Sequence, residues 1–125
     1  MSKRVMIVDD SRTVRSSVKY TLAKEGYDVL VAQHGQDALD KLEDCTSLNR
    51  PKMIITDVNM PVMDGITFVE EVKKRAEFKF IPALILTTES QTKMKIKGKK
   101  AGAAGWLVKP FKPEQLIGVV RKFVR

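Results

Sequence analysis

The chain has 125 residues, 43% hydrophobic and 30% charged, enough for one globular domain with a core of its own. No run of about 18 apolar residues occurs, which excludes a membrane-spanning helix, and the charged start "MSKRVMIVDD" lacks the apolar stretch and cleavage site of a secretory signal. The single cysteine, Cys45, rules out an internal disulfide and fits a reducing, cytoplasmic setting, where it packs as a small hydrophobe.

The net charge of +8 is unevenly spread. Residues 1–89 hold 13 basic and 14 acidic residues, whereas residues 90–125 hold ten basic residues and one acid, Glu114. The whole excess therefore falls in the last 36 residues. Such a face is either a solvated surface that aids solubility or a docking surface for an acidic partner.

Five apolar runs alternate with amphipathic segments. The first run, "VMIV" at 5–8, leads past Ser11, a candidate N-cap, into a helix with Val14, Val18 and Leu22 on one face. "YDVLVA" at 27–32 precedes a helix that starts after Gly35 and carries Ala38, Leu39, Leu42 and Cys45; His34, between them, reads as a surface or loop residue. "MIIT" at 53–56 has no polar alternation, as in a strand covered on both faces, and the "MPVMDG" turn then leads to a helix bearing Phe68, Val69 and Val72. "IPALILTT" at 81–88 is followed by "TKMKIKGKK", whose alternation looks strand-like and which Gly98 interrupts. A helix over about 90–104 is still expected, because two parallel strands need a crossover. "GWLVK" at 105–109 and a helix opening at Pro113 complete the series. Repeated strand–helix alternation predicts an α/β fold: a doubly wound, five-stranded parallel sheet with helices on both faces.

In such sheets ligands bind beyond the carboxyl ends of the strands. The first run ends in Asp9 and Asp10, the third in Asp57, the fourth in Thr87, Thr88 and Glu89, and the fifth in Lys109. Taken singly, these are helix-start acids, a turn acid and a surface lysine. Taken together, they put three carboxylates, a hydroxyl and an ammonium on one edge. Two carboxylates 4 Å apart repel by about 4 kcal/mol at an effective dielectric of 20. Either protons or a hard cation must relieve that, and Mg²⁺ takes one or two carboxylates and completes its shell with water and phosphate oxygens. Aspartate, Mg²⁺, lysine and threonine form a set suited to phosphoryl transfer, with the aspartate as nucleophile.

"IVDDS" at 7–11, "TDVNMPVMDG" at 56–65, "LTTES" at 86–90 and "GWLVKPF" at 105–111 resemble, in order and spacing, the motifs of the receiver domains of two-component response regulators. The resemblance spans essentially the whole chain, as one receiver domain over 1–125, and is strongest to the single-domain chemotaxis members. It implies the flavodoxin-like strand order 2-1-3-4-5. It implies Asp57 as phosphoacceptor, attacking a phosphohistidine on a separate histidine kinase. Asp9, Asp10, Asp57 and the backbone carbonyl of Asn59 would hold Mg²⁺. Lys109 would pair with the phosphoryl group, and Lys109–Pro110 would be a cis peptide. Thr87 and Trp106 would form the switch, and Asn59 and Glu89 would tune dephosphorylation by orienting water. Trp106 departs from the usual Tyr or Phe, and the larger indole leads us to expect a smaller rotation.

The resemblance further implies an output face built from the fourth helix, the fifth strand (105–109) and the fifth helix (113–124), which coincides with the basic 90–125 region. A flagellar-switch segment or another acidic protein would dock there, in chemotaxis or motor control. A stand-alone receiver acting as a phosphate sink or as an adaptor in another pathway is the alternative. The chain would be a phosphoacceptor that promotes its own phosphotransfer and autodephosphorylation, and not an enzyme. An aspartate-nucleophile phosphatase would need a second Asp at position 59, which is Asn59 here. The lysine run has no interleaved aromatics, which argues against specific nucleic-acid binding.

Overall fold

The computed structural model describes residues 3–88 and 92–124. Five strands, β1 (Arg4–Val8), β2 (Asp28–Ala32), β3 (Met53–Asp57), β4 (Ala83–Thr87) and β5 (Gly105–Val108), alternate with five helices. The helices are α1 (Arg12–Lys24), α2 (Gly35–Asp44), α3 (Gly65–Lys73), α4 (Thr92–Ala101) and α5 (Pro113–Phe123). All strand pairs are parallel and the order is β2-β1-β3-β4-β5, as expected. No described helix is long and apolar enough to cross a membrane.

Side-chain alternation along the strands divides the core in two. Met6, Val8 and Ile54 point to one face, where they pack with Leu39, Leu42, Phe68 and Val72 of α2 and α3. Val5, Ile7, Met53, Ile55, Leu84 and Leu86 point to the other, against Val18 and Leu22 of α1 and Leu116 and Val120 of α5. Every residue of β3 and β4 is buried, whereas the edge strands β2 and β5 are partly open. That is why the central runs read as continuously apolar.

Local features at Gly98, Ala103 and Ala104, Cys45 and His34 differ from the sequence expectation, whereas Ser11 agrees with it. Gly98 does not break α4; it lies buried inside it, because an added Cβ would stand 2.6 Å from Ile85 Cδ1. The glycine lets helix and sheet approach. Ala103 and Ala104, expected in the helix, follow it instead, and the Ala104 N–H donates to the Ala83 carbonyl at 2.8 Å as the chain enters β5. Cys45 is the C-cap of α2, half-buried, and its thiol donates to the Lys41 carbonyl at 3.3 Å. Ser11 is the N-cap of α1, accepting from the Val14 N–H at 3.3 Å. His34 proves to be the N-cap of α2, its Nδ1 accepting from the Asp37 N–H at 3.1 Å.

Candidate functional site

Parallel strands present all their carboxyl ends at one edge, so Asp9, Asp57, Thr87 and Lys109 gather there from β1, β3, β4 and β5. Asp9 is fully buried and Asp57 is 9% exposed, which is costly for carboxylates unless they are paired. The Asp9 carboxylate accepts from the Ser11 N–H through Oδ1 at 2.9 Å and from Lys109 Nζ through Oδ2 at 2.9 Å. Arg15 donates to the Asp9 carbonyl at 2.6 Å. Asp57 accepts from the Val58 N–H through Oδ1 at 2.8 Å, and its Oδ2 lies 3.4 Å from Lys109 Nζ.

Exposed Asp10 completes a group in which one carboxylate oxygen from each of Asp9, Asp10 and Asp57 lies within 4.8 Å of the others. The charges explain the acid–base behaviour. Burial, and then the charge of Asp9, raise the Asp57 pKa above its ordinary value, while Lys109 and the Val58 N–H act against that rise. Burial lowers the Lys109 pKa, but its hydrogen bond to Asp9 and the charges of Asp57 and Asp9 outweigh it, and the pKa is raised. Among the described residues, the Lys109 ammonium and the Arg15 guanidinium stand beside three carboxylates, so negative charge remains over. Three convergent hard oxygens with uncompensated charge are the donor set of Mg²⁺ or a similar hard divalent cation. The residues therefore fit the metal that the sequence implied. They do not form the thiolate and imidazole set of zinc.

The backbone around Asp57 is held by a close approach. Gly65, the first residue of α3, packs so tightly that an added Cβ would stand 1.9 Å from the Asp57 carbonyl oxygen. Its N–H donates to the Val58 carbonyl at 2.9 Å, and Asp64 caps α3 by accepting from the Thr67 N–H at 2.9 Å. The "DG" of the turn signalled a loop in the sequence, but not this contact.

Thr87 is buried at the end of β4, and its carbonyl accepts from the Lys109 N–H at 2.7 Å. The Lys109–Pro110 peptide is cis. Trp106 pairs with Ile85 across β4 and β5, and its ring stands outward, 42% exposed. Thr87 and Trp106 line a common cavity of about 240 Å³ under α4, so the two expected switch residues do share a space. Asn59 is exposed in the loop after β3 and lines a groove with Asp64 and Lys97. Glu89 lies outside the described residues. The basic surface is real: Lys93, Lys97, Lys99, Lys100, Lys112, Arg121 and Lys122 are all exposed. The sequence reading missed the roles of Arg15, Gly65 and Lys95, whose Nζ lies 5.0 Å from the centre of the Trp106 ring. A basic residue in the first helix beside an acidic strand end was the one available signal for Arg15.

Comparison with known proteins agrees with this geometry. The response regulator receiver domain pattern matches residues 5–121. The chain is 42% identical over 114 residues to chemotaxis protein CheY1 of Helicobacter pylori, covering 90% of each chain. It is 36% identical over 121 residues to protein PilG of Pseudomonas aeruginosa, covering 97% of this chain and 87% of that one. The structure of chemotaxis protein CheY4 of Vibrio cholerae superposes with a TM-score of 0.92 at 44% identity, covering 99% of this chain and 100% of that one. The fold, the acidic cluster and these likenesses lead to one conclusion: the chain belongs to the response regulator receiver domain family.

Proposed function

We propose that this protein is a phosphorylation-switched receiver that takes a phosphoryl group from the phosphohistidine of a histidine kinase onto Asp57. The observation that carries this reading is the setting of Asp57: a buried strand-end carboxylate beside two other acids, with Lys109 Nζ 3.4 Å away. A carboxylate oxygen of Asp57 attacks phosphorus as the phosphorus–nitrogen bond of the donor breaks, and the imidazole nitrogen leaves with the bonding pair. Lys109 offers its ammonium to the transferred oxygens, and the rigid strand ends hold nucleophile and lysine in register. Asp9, Asp10, Asp57 and the Asn59 carbonyl are the residues that would hold Mg²⁺. When bound, that ion supplies charge neutralisation between the carboxylates and the phosphoryl oxygens.

Output goes through α4, β5 and α5, with Thr87 and Trp106 reporting the state of Asp57. Their basic surface suits an acidic segment of a partner protein, with association that is faster at low salt. Likeness to two chemotaxis proteins supports a role in chemotaxis or flagellar motor control. A role as phosphate sink or adaptor in another pathway is the second reading. It draws on the likeness to PilG and to the response regulator MprA of Mycobacterium, at 35% identity over all of this chain and 52% of that protein.

The test is intact mass after incubation with acetyl phosphate and Mg²⁺. A phosphoryl adduct is expected in the wild type and absent from Asp57→Asn and from samples with chelator. An adduct that persists in Asp57→Asn, or no adduct under any condition, overturns the proposal. Pull-down by an acidic flagellar-switch segment, gained on phosphorylation, would favour motor control over the sink.

A further inference from the structure

We propose that Lys95 is the positioning residue of the switch: its ammonium holds the Trp106 indole outside the molecule, and losing that contact lets the ring enter the cavity beside Thr87. The signalling consequence rests on the reading of Thr87 and Trp106 given above; the contact itself does not. Trp106 is a large aromatic side chain left 42% exposed at the mouth of a cavity of about 240 Å³ lined by Ile85, Thr87, Met94, Gly98 and the ring itself. An apolar cavity of about 150 Å³ already admits benzene, so this one has room for much of an indole. Burial of aromatic surface is favourable. An exposed ring beside such a space therefore needs a restraint.

Lys95 supplies it. Its Nζ lies 5.0 Å from the ring centroid, within cation–π range. Helical spacing puts Met94, Lys95, Gly98 and Lys99 on the face of α4 that borders the cavity. Gly98 brings that face close to β4, since even a Cβ would crowd Ile85. At an exposed site a cation–π contact shifts a two-state balance by about two- to five-fold. That is enough to bias a poised ring and too little to lock it, as a switch requires.

Trp106 is the only tryptophan, so the full-length protein carries its own probe. Emission maximum and acrylamide quenching are measured without any phosphodonor. Lys95→Met should move emission to the blue and lower quenching, reporting an inward-to-outward ratio raised about two- to five-fold. Lys95→Gln should do the same, which guards against a packing artefact of the methionine. Lys95→Arg should retain wild-type values, because a guanidinium also stacks on aromatic faces. Lys100→Met, which removes an exposed charge of the same helix away from the cavity, should change nothing. Wild-type quenching in both Lys95→Met and Lys95→Gln overturns the proposal, as does an Arg variant that behaves like Met. Intact mass of the same samples with acetyl phosphate then reads Asp57 separately. An absent adduct counts against the phosphoacceptor reading and leaves the Lys95 result standing.

Discussion

Lys109 is bound more closely by Asp9 than by the proposed phosphoacceptor: its Nζ is 2.9 Å from Asp9 Oδ2 and 3.4 Å from Asp57 Oδ2. Asp9 is fully buried, so it has the greater need of a partner. The lysine thus stands as an internal counter-ion between two acids, and a divalent cation would compete for the same carboxylates. Lys109→Met should leave three convergent carboxylates without an ammonium among them. We expect a loss of about 1–3 kcal/mol in metal-free urea unfolding, below the range for fully buried pairs because the lysine is 17% exposed. Added Mg²⁺ should recover part of that loss. A variant as stable as wild type without metal would show that the pairing contributes nothing.

Asp57 is held above its ordinary pKa by burial and by Asp9. The folded protein therefore binds this proton more tightly than the unfolded chain does. Stability falls as pH rises from the unfolded value of 3.8 through the raised folded value, and the cost is complete above it. Asp57→Asn should stabilise the metal-free protein at neutral pH and flatten the acid limb of its stability curve. Mg²⁺ should raise the melting temperature of wild type more than that of the variant. The contribution of Lys109 has the opposite sense: its pKa is raised, so its stabilisation is present below 10.5 and lost as pH rises through the folded value.

Two glycines separate rigid from yielding contacts. Gly65→Ala sets a methyl 1.9 Å from the backbone oxygen of Asp57, which cannot turn aside. We expect a loss of about 3 kcal/mol and slower adduct formation, since the phosphoacceptor must move. Gly98→Ala crowds Cδ1 of Ile85, the end of a flexible side chain, and makes ordinary contact with Cδ1 of Ile66 and Cγ1 of Ile85. The gain in helix propensity, up to ~1 kcal/mol, should nearly offset the shift of Ile85. Denaturation midpoints of the two variants compare them directly.

Removing the imidazole cap at the start of α2 should cost about 1 kcal/mol in His34→Ala. Asn caps as well or better, so His34→Asn should match or exceed wild type in thermal unfolding. Equal stability of all three proteins would mean that the 3.1 Å contact with the Asp37 N–H carries no net energy.

Asn59 is exposed two residues beyond Asp57 and makes no contribution to the core. If the Asn59 amide orients water at a phosphorylated Asp57, Asn59→Ala should change the lifetime of the adduct, with stability unchanged within about 0.5 kcal/mol. Decay of radiolabelled adduct at the same rate as wild type would remove Asn59 from that role.

Local chemistry was enough to determine the alternation of elements, the parallel sheet and the edge that bears the charged groups. Strands buried on both faces must be apolar throughout, so "MIIT" and "ALIL" identify themselves, and the first polar residue after each such run marks the carboxyl edge. What only the tertiary structure decided are the contacts between residues far apart in the chain. Asp9 and Lys109 are 100 residues apart in sequence and 2.9 Å apart in space, and no periodicity encodes which acid the lysine prefers. Gly98 looked like a helix breaker until Ile85 showed why it has no side chain, and His34 looked idle until the turn placed Nδ1 over an open N–H. Lys95 was one lysine in a basic run until α4 packed on β5 and set it over the only indole. Patterns of hydrophobicity specify which face is buried; which side chains then meet depends on distances that exist only once the helices have docked on the sheet.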